Sequence, residues 1–185
     1  MPYPRTELEE MIRRFVEAND KAGDTGDWEP LAAYYAPDAI YSWNNGPKHE
    51  FVARGRDEIR RFVFGTEMAG LEKWTYPYVR TLIDDRAGEV IGIWRQVAPV
   101  RRADGKPYEI AGTGGSWFRY AGNFQWCWQR DFFDHMNAGA VFGAMAKNQQ
   151  LKPAMLERMQ KGSKMPGWVR RSDFDWYATI ADREA

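Results

Sequence analysis

Between residues 72 and 135 the chain is punctuated by turn-forming sequences at near-even intervals: Asp84-Asp-Arg-Ala-Gly, Ala103-Asp-Gly-Lys and Ala121-Gly-Asn. The segments they separate, 72–83, 89–101, 107–120 and 124–135, are rich in Trp, Tyr, Thr, Val and Ile. Such residues suit a pleated, half-buried surface. Four strands joined by short turns predict an antiparallel meander. Gly112, Gly114 and Gly115 interrupt the third strand and mark a bend or bulge where a sheet can curl.

Upstream the periodicity is helical. Thr6 and the acidic Glu7-Leu-Glu-Glu supply an N-cap and a first turn that suits the helix dipole. Leu8, Met11, Ile12, Phe15 and Val16 then recur at helical spacing, predicting an amphipathic helix over 7–21. Asp27 caps a second short helix ending at Tyr34 and Tyr35, Ala39 to Trp43 reads as a strand, and Asn44-Asn-Gly-Pro as a turn. A third helix starts near Arg56, and a last one runs from Ala138 to Met159 with a kink at Pro153. Helix, helix, strand, helix and four long strands is an α+β order. A strongly curled antiparallel sheet wrapped around helices makes a cone with an internal ligand cavity. Residues 1–160 form this domain, and the aromatic-rich 161–185 is a tail, either a flap or a dimer contact.

Lys plus Arg and Asp plus Glu each number 26, for zero net charge. A balanced chain has no long-range field to draw in nucleic acid or an anionic membrane, and no nucleic-acid motif is present. One cysteine, Cys127, rules out an intrachain disulfide framework. Two separated histidines give no metal-ligand spacing, and there is no phosphate loop or dinucleotide fingerprint. The expectation is therefore a protein without metal or cofactor. With no apolar leader after Met1 and no run of the ~20 apolar residues a membrane span needs, it is expected in the cytoplasm. Aromatics make up 15% of the chain, nine of them Trp. That fits either a core of large side chains or a cavity lined by rings.

Two passages carry a resemblance. Gly26-Asp27-Trp28-Glu-Pro-Leu-Ala-Ala-Tyr-Tyr-Ala-Pro-Asp38-Ala39-Ile-Tyr41 resembles the passage from second helix to first strand in the nuclear transport factor 2-like superfamily. Gln129-Arg130-Asp131-Phe132-Phe133-Asp134 is similar to the last-strand ending of SnoaL-like polyketide cyclases and limonene-epoxide hydrolases. The likeness spans residues 6 to about 136. It implies the cone fold, and a cavity that in this superfamily hosts cofactor-free acid–base chemistry or, in other members, binding and assembly without catalysis.

The candidate site follows from these residues. Alternation puts Gln129, Asp131, Phe133 and His135 on one strand face and Trp128, Arg130, Phe132 and Asp134 on the other. Both faces are mixed, and it is the resemblance that selects Asp131, matching the acid–base carboxylate of the cyclases. Arg95, in Ile91-Gly-Ile-Trp-Arg-Gln-Val, and Tyr41 match the strand arginine and the tyrosine of the epoxide hydrolases, implying oxyanion stabilisation. The carboxylate those enzymes need two residues after the arginine is replaced here by Val97. Trp43, Phe133, Asn19, Tyr35, Trp74 and Tyr76 are candidates to hold the substrate. His49 and Glu50, after the Gly-Pro turn, are placed to reach a pocket mouth.

These features predict a cofactor-independent lyase, dehydratase or isomerase acting on a small aromatic or polycyclic substrate. A non-catalytic binding module and an epoxide hydrolase are the alternatives. Rings on the exposed strand faces, Trp126 and Trp128 or their opposites, predict a homodimer through the sheet.

Overall fold

In a computed structural model that describes residues 3–181, seven strands form one curved, unclosed sheet in the order β3-β4-β5-β6-β1-β2-β7. The predicted meander is its larger half: β3 (Tyr78–Asp84), β4 (Glu89–Arg101), β5 (Pro107–Gly122) and β6 (Gln125–Phe132), each antiparallel to the next. The expectation of a wholly antiparallel sheet needs one correction. β1 (Tyr35–Asn45) runs parallel to β6, with Tyr41 opposite Gln129 and Trp43 opposite Asp131. Two helical segments and four strands separate β1 from β6 in sequence, which leaves ample chain for the crossover that a parallel pair requires. β2 (His49–Arg54) returns as a hairpin on β1. The sequence gives it a weak signal, because Glu50 is a charged residue on a face that is buried.

The helix α1 (Arg5–Thr25) lies across the concave face and buries Leu8, Met11, Ile12, Phe15 and Asn19. Phe15 meets the rings of Tyr35, Phe118 and Trp126 edge-on at 5.2–6.2 Å, geometries that favour the ring quadrupoles. A 3-10 turn (Glu29–Tyr34) stands where the second helix was expected. The third helix, α2 (Arg56–Glu58), continues as a π-helix over Ile59–Glu67. Pro153 does more than kink the last helix. It starts a new one, so the segment divides into α3 (His135–Lys147) and α4 (Pro153–Lys161). Proline lacks the N–H that an interior position must donate but fits a first turn.

Two departures from regular pairing set which side chains face inward. Opposite Arg95, β5 carries three residues, 111–113, between the pairs Trp94–Gly114 and Gln96–Ile110. This is the bend that the glycine-rich stretch predicts. In β6, Trp126 pairs with Tyr120 and Trp128 with Arg119, leaving Cys127 as the extra residue. The bulge reverses the side-chain phase. Trp126 stacks inside on Phe118 at 4.7 Å, whereas Trp128 packs outside against Trp117.

The tail covers that outer face within the same chain. β7 (Trp168–Arg170) extends the sheet beside β2, and α5 (Trp176–Ala181) follows. Trp128 Nε1 donates to Thr179 Oγ1 at 3.0 Å, and Arg119 Nη1 donates to the Ile180 carbonyl at 2.8 Å. Trp126 and Trp128, read as exposed dimer rings, are both fully buried in the monomer. Residues 182–185 of the tail lie outside the described residues. No described helix is long and apolar enough to cross a membrane.

Candidate active site

Between α1, the π-helix, α3 and the concave face lies a cavity of about 180 Å³. Asp131 is its central acidic group. The phase set by the Cys127 bulge turns Gln129 and Asp131 inward and Arg130 outward. Ser116 Oγ donates to Asp131 Oδ1 at 2.6 Å, Gln129 Nε2 donates to the same oxygen at 2.7 Å, and Tyr41 OH donates to Oδ2 at 2.6 Å. A further layer orients these donors. Trp94 Nε1 donates to Ser116 Oγ at 2.9 Å, and Tyr35 OH donates to Gln129 Oε1. Gln129 is thus fixed with its amide nitrogen toward the carboxylate.

Burial pushes the Asp131 carboxyl above its ordinary value, against the opposing pull of Ser116, Tyr41, Gln129 and the nearby Arg130 charge. Desolvation penalises the charged form, while the three donors stabilise it. Burial and the Asp131 charge likewise hold the Tyr41 hydroxyl well above the usual tyrosine range, so it keeps its proton. Tyr41→Phe removes one donor to the carboxylate and is expected to move the acid limb of any pH–rate profile to higher pH. A limb that stays in place would show that the Tyr41 bond does not tune Asp131.

The predicted site residues separate into three groups. Asp131, Tyr41, Trp43, Phe133, Asn19 and Tyr76 all line the cavity. Tyr35 stands one layer back, bonded to Gln129, and Trp74 is buried against Phe142. Arg95 is a correction. Trp94 and Gln96 face the cavity, so Arg95 between them points out. Its guanidinium is 51% exposed and paired bidentately with Glu109 at 2.6–2.7 Å. Glu50 also lies away from the cavity, bonded to Arg130 on the outer side. Asp134 caps α3 by accepting from the Asn137 N–H at 3.0 Å.

Sequence reasoning missed Ser116, Trp94 and Gln96, whereas Tyr78, which alternates with Trp74 and Tyr76 as a ring for a planar ligand or a dimer surface, lines the cavity. Alternation would have found Trp94 and Gln96 once β4 was phased. Tyr78 depends on a contact invisible in sequence: its ring crosses Gly92, where an added Cβ would fall 2.3 Å from the ring. Gly92→Ala is expected to displace Tyr78 and to cost about 1–3 kcal/mol, as overpacked cores do. An unchanged melting temperature would count against this packing. Among the described residues no group of three His, Cys, Asp or Glu side chains is placed to hold a metal ion.

A SnoaL-like domain family model matches residues 4–139. The chain belongs to the SnoaL-like domain family. Solved structures share its fold at low identity. PrhC from Penicillium brasilianum NBRC 6234 is 15% identical with a TM-score of 0.58, covering 79% of this chain and 92% of that one. An NTF2-like protein from Anabaena variabilis ATCC 29413 is 16% identical with a TM-score of 0.54, covering 72% and 94%. Bal32a, from a soil-derived mobile gene cassette, is 21% identical with a TM-score of 0.54, covering 74% and 96%. No curated protein matches the sequence. The SnoaL-like match ends within α3, so Phe142 and Arg158, which also line the cavity, come from outside it.

Proposed function

We propose that this SnoaL-like protein is a cofactor-independent acid–base enzyme of lyase, dehydratase or isomerase type. Its substrate is a small aromatic or polycyclic compound held in the cavity. One observation carries the reading: a carboxylate, Asp131, faces a ring-lined cavity with its acidity weakened by burial. A carboxylate so placed is a stronger base than one in water, and its conjugate acid persists long enough to return the proton elsewhere on the substrate.

In the chemistry proposed, Asp131 Oδ takes a proton from a substrate carbon next to a carbonyl or leaving group. The C–H electron pair moves into the adjacent bond, forming an enolate or expelling the leaving group. The proton then returns to a second carbon or departs with the leaving group. Ser116, Gln129 and Tyr41 aim the carboxylate. Trp43 and Phe133 present apolar faces to the substrate. At about 180 Å³ the cavity is below the ~300–1,000 Å³ of drug-sized sites, which favours substrates of one or two rings.

The test is proton exchange. Incubation with 2-tetralone in D₂O, together with a panel of hydroxylated and keto aromatic compounds, should give enzyme-dependent deuteration or turnover by NMR. Binding of the panel without exchange or turnover would replace this reading with the non-catalytic binding module.

A further inference from the structure

The cavity wall contains a second polar group, set apart from Asp131, whose arginine comes from beyond the family match. Arg158 on α4 and Glu67 at the end of the π-helix are 12% and 13% exposed, and both line the cavity. Arg158 Nη1 stands 3.6 Å from Glu67 Oε2, beyond hydrogen-bond range. It is buried and has no hydrogen-bond partner among the described residues. Nη2 reaches Met155 Sδ at 2.8 Å, and a thioether is a weak acceptor. A guanidinium has five N–H donors, and leaving them unmatched in a buried wall is costly.

Its neighbours hold the group in place. Glu67 Oε1 accepts from Trp168 Nε1 at 3.2 Å, tying the π-helix to β7. Gln96 Nε2 donates to Tyr76 OH at 3.2 Å, and that hydroxyl lies within the field of Arg158. No described hydrogen bond joins this group to Asp131, Ser116 or Gln129. The cavity therefore presents two separate polar features on a lining of rings.

We infer that Arg158 is a specificity-determining residue that receives a second oxygen of the ligand, an uncharged acceptor such as a ketone, aldehyde or hydroxyl oxygen. The inference rests on the cavity being a ligand site, as proposed above. An uncharged oxygen is favoured over a carboxylate because Glu67 stands beside the guanidinium. A ligand carboxylate would meet a like charge at close range, whereas a neutral oxygen accepts from Nη1 without that repulsion. The C-terminal segment thereby covers the outer sheet face and also supplies a selecting group to the inside.

The experiment compares two probes of one shape, 2-acetylnaphthalene and 2-ethylnaphthalene, which differ by a carbonyl oxygen. Affinities for the parent protein are read from quenching of its tryptophan fluorescence. The parent is expected to prefer the ketone by about 10-fold or more, the worth of one hydrogen bond to a charged donor. Arg158→Met should lose the preference while binding 2-ethylnaphthalene as the parent does. Arg158→Lys should retain part of it and serves if the Met variant does not fold. A preference that survives in the folded Met variant, or a parent that does not discriminate, would overturn the inference and leave the Asp131 chemistry standing. If the parent binds neither probe, the cavity's role as a site for aromatic ligands fails, and this inference with it.

Discussion

Asp131→Asn is expected to lower turnover by about 10²–10⁴-fold while leaving ligand affinity near that of the parent. The amide fills the same space between Ser116, Gln129 and Tyr41 but cannot take a proton at working pH. In the parent the rate should climb through an acid limb displaced upward from the ordinary carboxylate range by burial. That limb should vanish from the residual rate of the variant. Stability gives an independent reading. The folded state holds the Asp131 proton more tightly than the unfolded state, because its pKa is raised. Below both pKa values the residue is neutral in both states and contributes no pH dependence. As pH rises from the unfolded value through the folded one, stability falls. Asp131→Asn should therefore melt above the parent at neutral pH and show a flatter acid-side dependence. A variant that melts lower at neutral pH would mean that the three donors outweigh desolvation. Asp134→Asn is the companion control. It removes the charge at the α3 cap but keeps a capping oxygen, so it should lower stability only slightly and leave the acid limb where it is.

The largest effect on stability is expected from Arg130→Met. Arg130 Nη2 lies 3.0 Å from Glu50 Oε2, Nη1 donates to Ser42 Oγ at 3.2 Å, and the guanidinium sits 4.6 Å from the Trp176 ring centroid. Glu50 is wholly buried, and its Oε1 has no hydrogen-bond partner, with Arg171 Nε at 3.9 Å. Removing Arg130 strands that carboxylate, and breaking a buried pair from one side costs about 3–5 kcal/mol. For a chain of this size the melting temperature should drop by roughly 10 °C. The double variant Arg130→Met with Glu50→Met should recover most of the loss, because both buried charges are then gone. If the double variant is no better than the single one, the pair is held mainly by Trp176 and Ser42. Loosening of α5, read by proteolysis, would then accompany the loss.

Much of this was legible in the sequence where one rule governs one element. The turn sequences at Asp84, Ala103 and Ala121 marked the meander, and the spacing of Leu8 to Val16 marked α1. Asp131 and Phe133 fell on one strand face by alternation alone. The failures come from contacts between elements. Arg95 matches the epoxide hydrolases' arginine by its place along the strand, but place does not say which face turns inward, and it is Trp94 and Gln96 that line the cavity. Trp126 and Trp128 share a parity and were read together, yet the extra Cys127 sends one ring inward and the other outward. A bulge depends on the partner strand, and a single strand's pattern does not record it. Arg158 was missed because Pro153 read as a kink within one helix, whereas the break re-aims α4 so that its arginine reaches the cavity.

The parallel pairing of β1 with β6 bears on the order in which the protein can be made. Tyr41 and Asp131 are 90 residues apart, and no hairpin turn brings them together. On the ribosome, α1, β1 and β2 emerge long before β6, so the first strand waits with one edge unpaired and its aromatic face unmatched. Closing so long a loop is slow, and exposed edges in waiting segments are prone to association. The hydrogen bond from Tyr41 to Asp131 can form only after that loop has closed. Catalytic competence in the proposed chemistry should thus appear late in refolding, after the fluorescence change that reports burial of the tryptophans in β4 and β5.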